Sequence, residues 1–388
     1  MTSTTMGSGR YAMIDAVRGL VCVLVVVDHA GIAIATRGTP GDGLEARLQQ
    51  LVVQALTLGI APSLFFVLSG FCVAAGVESA RSKGGSPVGF MLKRLWRTFP
   101  PYWAALMVFA GVVLALDVAG LGWVYSGGVA LQLESPWALS WPQWVGNLTL
   151  SETWRPSVFG GGDVLVFTRV GWSLCYQEQF YLLCVLAWAL VPRGMHGALA
   201  VATIGAALTR AIAVDIGAAH RIEGTLPLLW HEFAIGLAVY WRLRVASTAW
   251  ARRAVDFGLA GLVVACLASG SIKTAAAAGL GLLLILMQPW DARLVAVRAA
   301  GPLRACGRRC YSIYLVHLPF VTLVNVTLCH LGLEHFWGRV FVLLPAATAV
   351  AVAAGWAFHH VVERRFMDLP TLGLVSGPWT RRRVAGSP

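Results

Sequence analysis

Apolar residues in this chain are gathered into long runs, and short basic segments separate the runs. A helix needs about 20 apolar residues to cross a bilayer. By that measure ten spans are expected, near 12–35, 53–77, 99–119, 172–192, 198–217, 226–241, 254–270, 274–290, 311–332 and 339–361. The pattern predicts an all-α polytopic integral membrane protein with about ten transmembrane helices. The sixth span is short, and little more than SGSIK separates the seventh from the eighth. Residues 1–366 read as one transmembrane domain and 367–388 as a short basic tail, with no appended soluble domain. The longest connection, roughly 120 to 171, holds Trp123, Trp137, Trp141, Trp144 and Trp154 and a GGGD stretch at 160–163. Connections of that length are more often functional or mobile than mere links. Its tryptophans fit either an interfacial belt or a platform for a ring-shaped acceptor.

Charge supports this layout and orients it. Only 12% of the residues are charged against 57% hydrophobic, where a soluble domain carries about a quarter charged. With the N-terminus inside, the inner segments hold Arg81, Lys83, Lys93, Arg94, Arg97, Arg242, Arg244, Arg252 and Arg253. Further inner segments add Arg293, Arg298, Arg304, Arg308, Arg309, Arg364, Arg365 and Arg381 to Arg383. The outer segments hold far fewer basic residues, as the positive-inside rule requires. An even span count keeps both termini cytoplasmic, in a bacterial inner membrane, since outer-membrane spanners are barrels. The net charge of +12 is thereby explained by topology, and no nucleic-acid partner is expected. No cleavable signal peptide follows Arg10. The eight cysteines are scattered through apolar runs and form no disulfide framework. Cys306 and Cys310 lack the further ligands of a metal site, so no metal is expected.

The informative residues are those that do not suit lipid. The first span, IDAVRGLVCVLVVVDHAG at 14–31, holds Asp15, Arg18, Asp28 and His29. Eleven residues turn a helix through roughly 1,100°, about 20° past three full turns, so Arg18 and His29 share a face about 16 Å apart. Ionisable groups inside a bilayer usually face the bundle interior or a wet cavity. Asp15 is placed for an i,i+3 ion pair with Arg18, while Asp28 points about 100° from His29. A second constellation, WSLCYQEQFYLL at 172–183, puts Glu178 in an apolar helix with Ser173, Gln177 and Tyr181 nearby. Such a carboxylate needs a partner, for which Arg18, Arg94 and His29 are candidates. A third, MLKRLWRTFPPYW at 91–103, places Lys93, Arg94 and Arg97 just before Pro100, which suits the start of the third span. It reads as positive-inside anchoring or as a phosphate clamp, for which arginine forks are well shaped. A fourth, CYSIYLVHLPF at 310–320, has Tyr314 three residues before His317, a core histidine or part of a site.

Together these segments resemble one family, the membrane acyltransferase-3 family. Asp15 and Arg18, ten residues, then His29 resembles its N-terminal motif. FFVLSGF at 65–71, with Ser69, resembles its second-span motif, and KRLWRTFPPYW its basic third-span segment. WSLCYQEQFYLL, with Trp172, resembles its Trp-Ser-Leu…Glu…Phe-Tyr motif, SIYLVHLPF its Tyr-Leu-x-His motif, and VVERRF at 361–366 its closing glutamate segment. Six matches in order extend over nearly the whole chain. The resemblance implies transfer of an acyl group, usually acetyl, from cytoplasmic acyl-CoA to a hydroxyl of a sugar-containing acceptor, either a surface glycan or a macrolide. Some relatives carry a tight Arg-x-Arg where this chain has Lys93-Arg94 and Arg97. On that reading His29 is the general base, since histidine titrates near neutrality, or a transient acyl carrier. Glu178 and Arg18 complete the catalytic set, and Arg94, Arg97 and Lys93 bind the acyl-CoA phosphates. Asp15, Asp28, Ser69, Trp172, Ser173, Tyr181, Tyr314 and His317 are supporting or substrate-binding residues. Membrane lipid and the acceptor are the expected partners, and the sequence leaves oligomeric state open. A proton-coupled transporter also buries Arg, His and Glu, but no internal repeat of the transporter kind is visible. A haem protein with His29 and His317 as axial ligands is the other rival.

Overall fold

The structure, a computed structural model, describes residues 13–37, 42–121, 134–160, 162–333 and 335–368. The expected basic tail from 369 onward, Arg10 and Trp123 lie outside the described residues. All regular structure among the described residues is helical. The long helices are α1 (Met13–Arg37), α2 (Gly43–Leu56), α3 (Ala61–Ser82) and α4 (Pro87–Val118). The long connection carries α5 (Trp141–Leu148) and α6 (Arg155–Phe159). Then come α7 (Gly171–Leu190), α8 (Met195–Asp215), α9 (Trp230–Arg244), α10 (Ala249–Ala268) and α11 (Ile272–Met287). Two short helices, α12 (Asp291–Ala296) and α13 (Gly301–Arg308), precede α14 (Cys310–His330) and α15 (Phe336–Val361).

A helix overlies each of the ten expected spans, but seven segments are long and apolar enough to cross a membrane by length and composition. The other three are α7, α9 and α10. Gln177, Glu178 and Gln179 dilute α7, α9 has 15 residues, and Arg252, Arg253 and Asp256 occupy the start of α10. Two boundaries differ from the expectation. The second apolar run is broken at 57–60, where Gly59 takes φ +61° and its N–H donates to Asp28 Oδ1 at 2.9 Å. The third helix starts at Pro87, not near 99, so Pro100 and Pro101 lie inside it rather than at its start. Ser86 caps it by accepting from Gly89 N. The two prolines leave the carbonyls of Trp96 and Arg97 without helical donors, and the Tyr311 hydroxyl bonds the adjacent Thr98 carbonyl at 2.7 Å.

Small residues set the helix crossings. A Cβ on Gly70 of α3 would lie 2.2 Å from Phe233 O, and one on Gly236 of α9 2.0 Å from Val67 O, so backbone packs on backbone there. Gly19 of α1 and Gly307 of α13 make a second such pair. One core joins α1, α3, α9, α10 and α11 through Val21, Val25, Val67, Val239, Leu259 and Leu284. An aromatic core of Phe66, Phe180, Trp230 and Phe233 joins α3, α7 and α9, with Phe180 stacked on Phe233 at 4.4 Å. A third joins α1 to α14 and α15 through Ala33, Ile34, Ile313 and Ala347.

The described part of the connection between α4 and α7, from residue 134 onward, is folded. Fully buried Glu152 accepts from Arg155 Nε and Nη2 at 3.0 and 3.1 Å and from Leu165 N at 3.1 Å. Those bonds hold the Arg155 guanidinium above its usual pKa. Buried Asn147 donates to the Gln143 and Leu165 carbonyls and accepts from Phe167 N, each at 2.8 Å. The tryptophans diverge: Trp144 packs on Phe167, while Trp137 and Trp141 are exposed.

Candidate functional site

Where α1, α3, α4, α7 and α14 converge they enclose a cavity of about 410 Å³. α1 contributes Asp15 and Arg18, and α3 contributes a stripe from Pro62 through Phe65, Phe66 and Ser69 to Cys72. The stripe extends about 15 Å along α3, at 1.5 Å per residue. α4 supplies Arg94, Arg97 and Thr98, α7 supplies Ser173, Gln177 and Tyr181, and α14 supplies Tyr311 and Tyr314. Arg308 and Glu363 complete the basic end. Asp15, Arg18 and Cys72 also line a second cavity of about 720 Å³, whose wall includes Glu78, Lys83 and Arg244. The two cavities therefore meet at the foot of α1. Four arginines against the carboxylates of Asp15 and Glu363 leave the inner cavity net positive at its basic end.

Arg18 Nη2 contacts Cys310 Sγ at 3.0 Å, bringing α1 to the start of α14. Arg94 lays its guanidinium over the Tyr181 ring, 3.9 Å from the centroid. Tyr181 in turn hydrogen-bonds Gln177 through its hydroxyl. The Arg94 Nε is buried without a hydrogen bond, as are both Glu178 carboxylate oxygens; Arg94 and Thr98 are the neighbours of that carboxylate. Glu178 thus faces α4 beside the cavity rather than His29. Arg97 reaches the wall although largely exposed, whereas Lys93 is exposed and off the wall. Trp172 packs edge-on to Phe66 and Tyr176 behind the wall.

The far end of the cavity is closed by Tyr314, with a pair of histidines behind it. The Tyr314 hydroxyl donates to Val170 O at 2.9 Å and pairs with Ser173 Oγ at 2.6 Å, and its ring meets Phe65 edge-on. One turn on, His317 is fully buried, its ring 5.9 Å from that of Tyr314. His317 Nδ1 bonds Tyr314 O at 2.8 Å, and its Nε2 lies 3.4 Å from His29 Nδ1. His29 Nδ1 also bonds Val25 O at 2.8 Å. Neither histidine lines the cavity; Tyr314 stands between. Asp28 is turned away from His29 to hold the Gly59 break, which fixes the register of α1 against α3.

Apart from Glu363, the glutamate of the VVERRF segment, several buried polar groups were not singled out by sequence. Ser312 Oγ and His359 Nδ1 both bond Glu363 Oε2, at 2.5 and 2.8 Å; the i,i+4 spacing of His359 and Glu363 was the available signal. Fully buried Arg339, in a π-helical stretch of α15, bonds Ala33 O at 2.9 Å and Asn325 Oδ1. Ser63 donates to Glu232 at 2.7 Å beside His231. Among the described residues no cluster of three or more His, Cys, Asp or Glu could hold a metal.

A family model described as an acyltransferase domain matches residues 11–356. The chain is also 27% identical over 372 residues to a Komagataeibacter xylinus protein named provisionally as the membrane-bound transacylase BcsY. That match covers 92% of this chain and 82% of that protein. No solved structure matches.

Proposed function

Because the chain belongs to the acyltransferase-3 family of membrane acyltransferases, we propose that it transfers an acyl group, acetyl by preference, from acyl-CoA to a hydroxyl. The acceptor is a sugar-containing molecule, a surface glycan or a macrolide. The observation that carries the reading is the long cavity with four arginines at one end and a histidine pair beyond the other. Acyl-CoA is a polyphosphate on a long flexible arm that ends in a thioester. Arg94, Arg97 and Arg308 suit the phosphates, since guanidinium forks match phosphate oxygens. The stripe of α3 suits the arm, which is led toward Tyr314 and the histidines. Lys93, exposed and off the wall, contributes long-range charge at most.

His29 acts as general base: it takes the proton of the acceptor hydroxyl as that oxygen attacks the thioester carbonyl. The CoA thiolate leaves and receives the proton back, so the reaction releases no net proton. Arg18, in reach of the cavity neck, favours the anionic donor. The basic end faces the cytoplasm in this reading, both termini included, and the membrane is a bacterial inner membrane. Glu178 serves as the counter-charge of Arg94, with no direct part in the proton transfer.

The test uses membranes with matched amounts of wild type and His29→Ala, given labelled acetyl-CoA. Label is then counted in glycan, lipid and small-molecule fractions. Label that needs His29 supports the reading and identifies the acceptor fraction. Label that persists in the variant removes His29 as the base.

A further inference from the structure

We propose that His317 is a positioning residue for His29: it fixes the tautomer of His29 and accepts the N–H of that ring as the ring gains a proton. The inference rests on the reading of His29 as base.

Hydrogen-bond chemistry decides the tautomers. A backbone carbonyl only accepts, and a neutral imidazole has one donor and one acceptor nitrogen. His317 Nδ1 at 2.8 Å from Tyr314 O is therefore N–H, which leaves Nε2 of His317 an acceptor. That acceptor lies 3.4 Å from His29 Nδ1, which is itself 2.8 Å from Val25 O. The His29 Nδ1–H accordingly serves two acceptors, and Nε2 of His29 carries the basic lone pair. The rings meet edge to face, 68° apart with centroids at 4.9 Å.

Tyr314 O satisfies only the donor nitrogen of His317, so the acceptor nitrogen needs a donor of its own. Here the second nitrogen of a fully buried ring is aimed at the one histidine of α1. When His29 takes the acceptor proton its Nδ1–H bonds become charge-assisted, which roughly doubles their strength. The pair works as the histidine and carboxylate of a hydrolase triad do, with a neutral ring in place of the carboxylate. Loss of the correct tautomer in such a triad costs about 10⁴ in rate.

Two substitutions separate the roles of the two nitrogens. The amide nitrogen of Asn occupies the position of Nδ1, so His317→Asn keeps the bond to Tyr314 O but falls short of His29. The amide oxygen of Gln reaches the position of Nε2, so His317→Gln keeps an acceptor for His29. Both full-length variants would be compared with wild type and His29→Ala in membranes, with labelled acetyl-CoA as probe and thermal midpoint as the folding control. The expected result is a fall in kcat of about 100-fold or more for His317→Asn. His317→Gln should recover to within about tenfold, and KM for acetyl-CoA should be unchanged in both. A purely structural role predicts Asn to be as good as Gln or better, and that outcome overturns the proposal, as does wild-type kcat in His317→Asn. Equal losses in both variants at unchanged midpoint also overturn it. Activity in His29→Ala removes the base reading itself, whereas an inactive His29→Ala beside a fully active His317→Asn removes this inference alone.

Discussion

Arg94 has an observed contact and a proposed donor role, which a single substitution confounds. Its guanidinium lies on Tyr181 and beside Glu178, and it also lines the proposed donor cavity. Arg94→Ala removes a cation–π contact of about 0.5–2 kcal/mol. It also leaves the Glu178 carboxylate buried without its counter-charge, a loss of about 3–5 kcal/mol for a broken buried pair. If the same guanidinium holds a CoA phosphate, one charge-assisted contact of about 1.5–3 kcal/mol disappears as well. At about 1.4 kcal/mol per decade, that raises KM for acetyl-CoA by about 10- to 150-fold. Adding Glu178→Gln separates the two effects, because it removes the stranded carboxylate but offers the donor nothing. The thermal midpoint of Arg94→Ala/Glu178→Gln should return most of the way to wild type while KM stays high. Initial rates against acetyl-CoA concentration, with thermal unfolding in the same detergent, measure both. A double variant with wild-type KM would refute the clamp and reduce Arg94 to the partner of Glu178.

Gly70→Val should lower the thermal midpoint strongly, since its Cβ would lie 2.2 Å from Phe233 O and overpacking costs about 1–3 kcal/mol or more. Gly258→Ala in α10 is the matched control: nothing lies within 4 Å of its Cβ, and helix propensity predicts a gain of up to about 1 kcal/mol. An equal loss in both would refute the close-crossing argument. Glu152→Ala removes the ion pair of Arg155 and the acceptor of Leu165 N and should loosen the α4–α7 connection, seen as faster proteolysis near 160–163. Unchanged cleavage would mean that Asn147 holds the connection without it. Arg339→Ala removes the guanidinium bonds to Asn325 Oδ1 and Ala33 O, and the midpoint should fall by an amount matching about 1–3 kcal/mol; no change would show that these bonds contribute nothing net.

Local composition was enough to read the membrane class, the helical fold and a helix over each expected span, though not α2. A run of apolar residues in lipid must satisfy its own backbone, and the helix does so within the run. Ends were harder. The Lys93-Arg94 and Pro100-Pro101 cluster looked like the edge of a span, yet α4 runs through it from Pro87 to Val118 and places Arg94 and Arg97 on the cavity wall. Gly59 looked like part of a continuous run, yet Asp28 makes a break worthwhile there. Helical phase put Arg18 and His29 on one face, and the structure gives both an inward partner. It could not name those partners, Cys310 and His317, which lie 292 and 288 residues away. A single helix fixes the direction in which a side chain leaves its axis. What meets that side chain depends on how helices cross, and here the crossings are set by glycine pairs such as Gly70 and Gly236, whose fit exists only when both backbones are present.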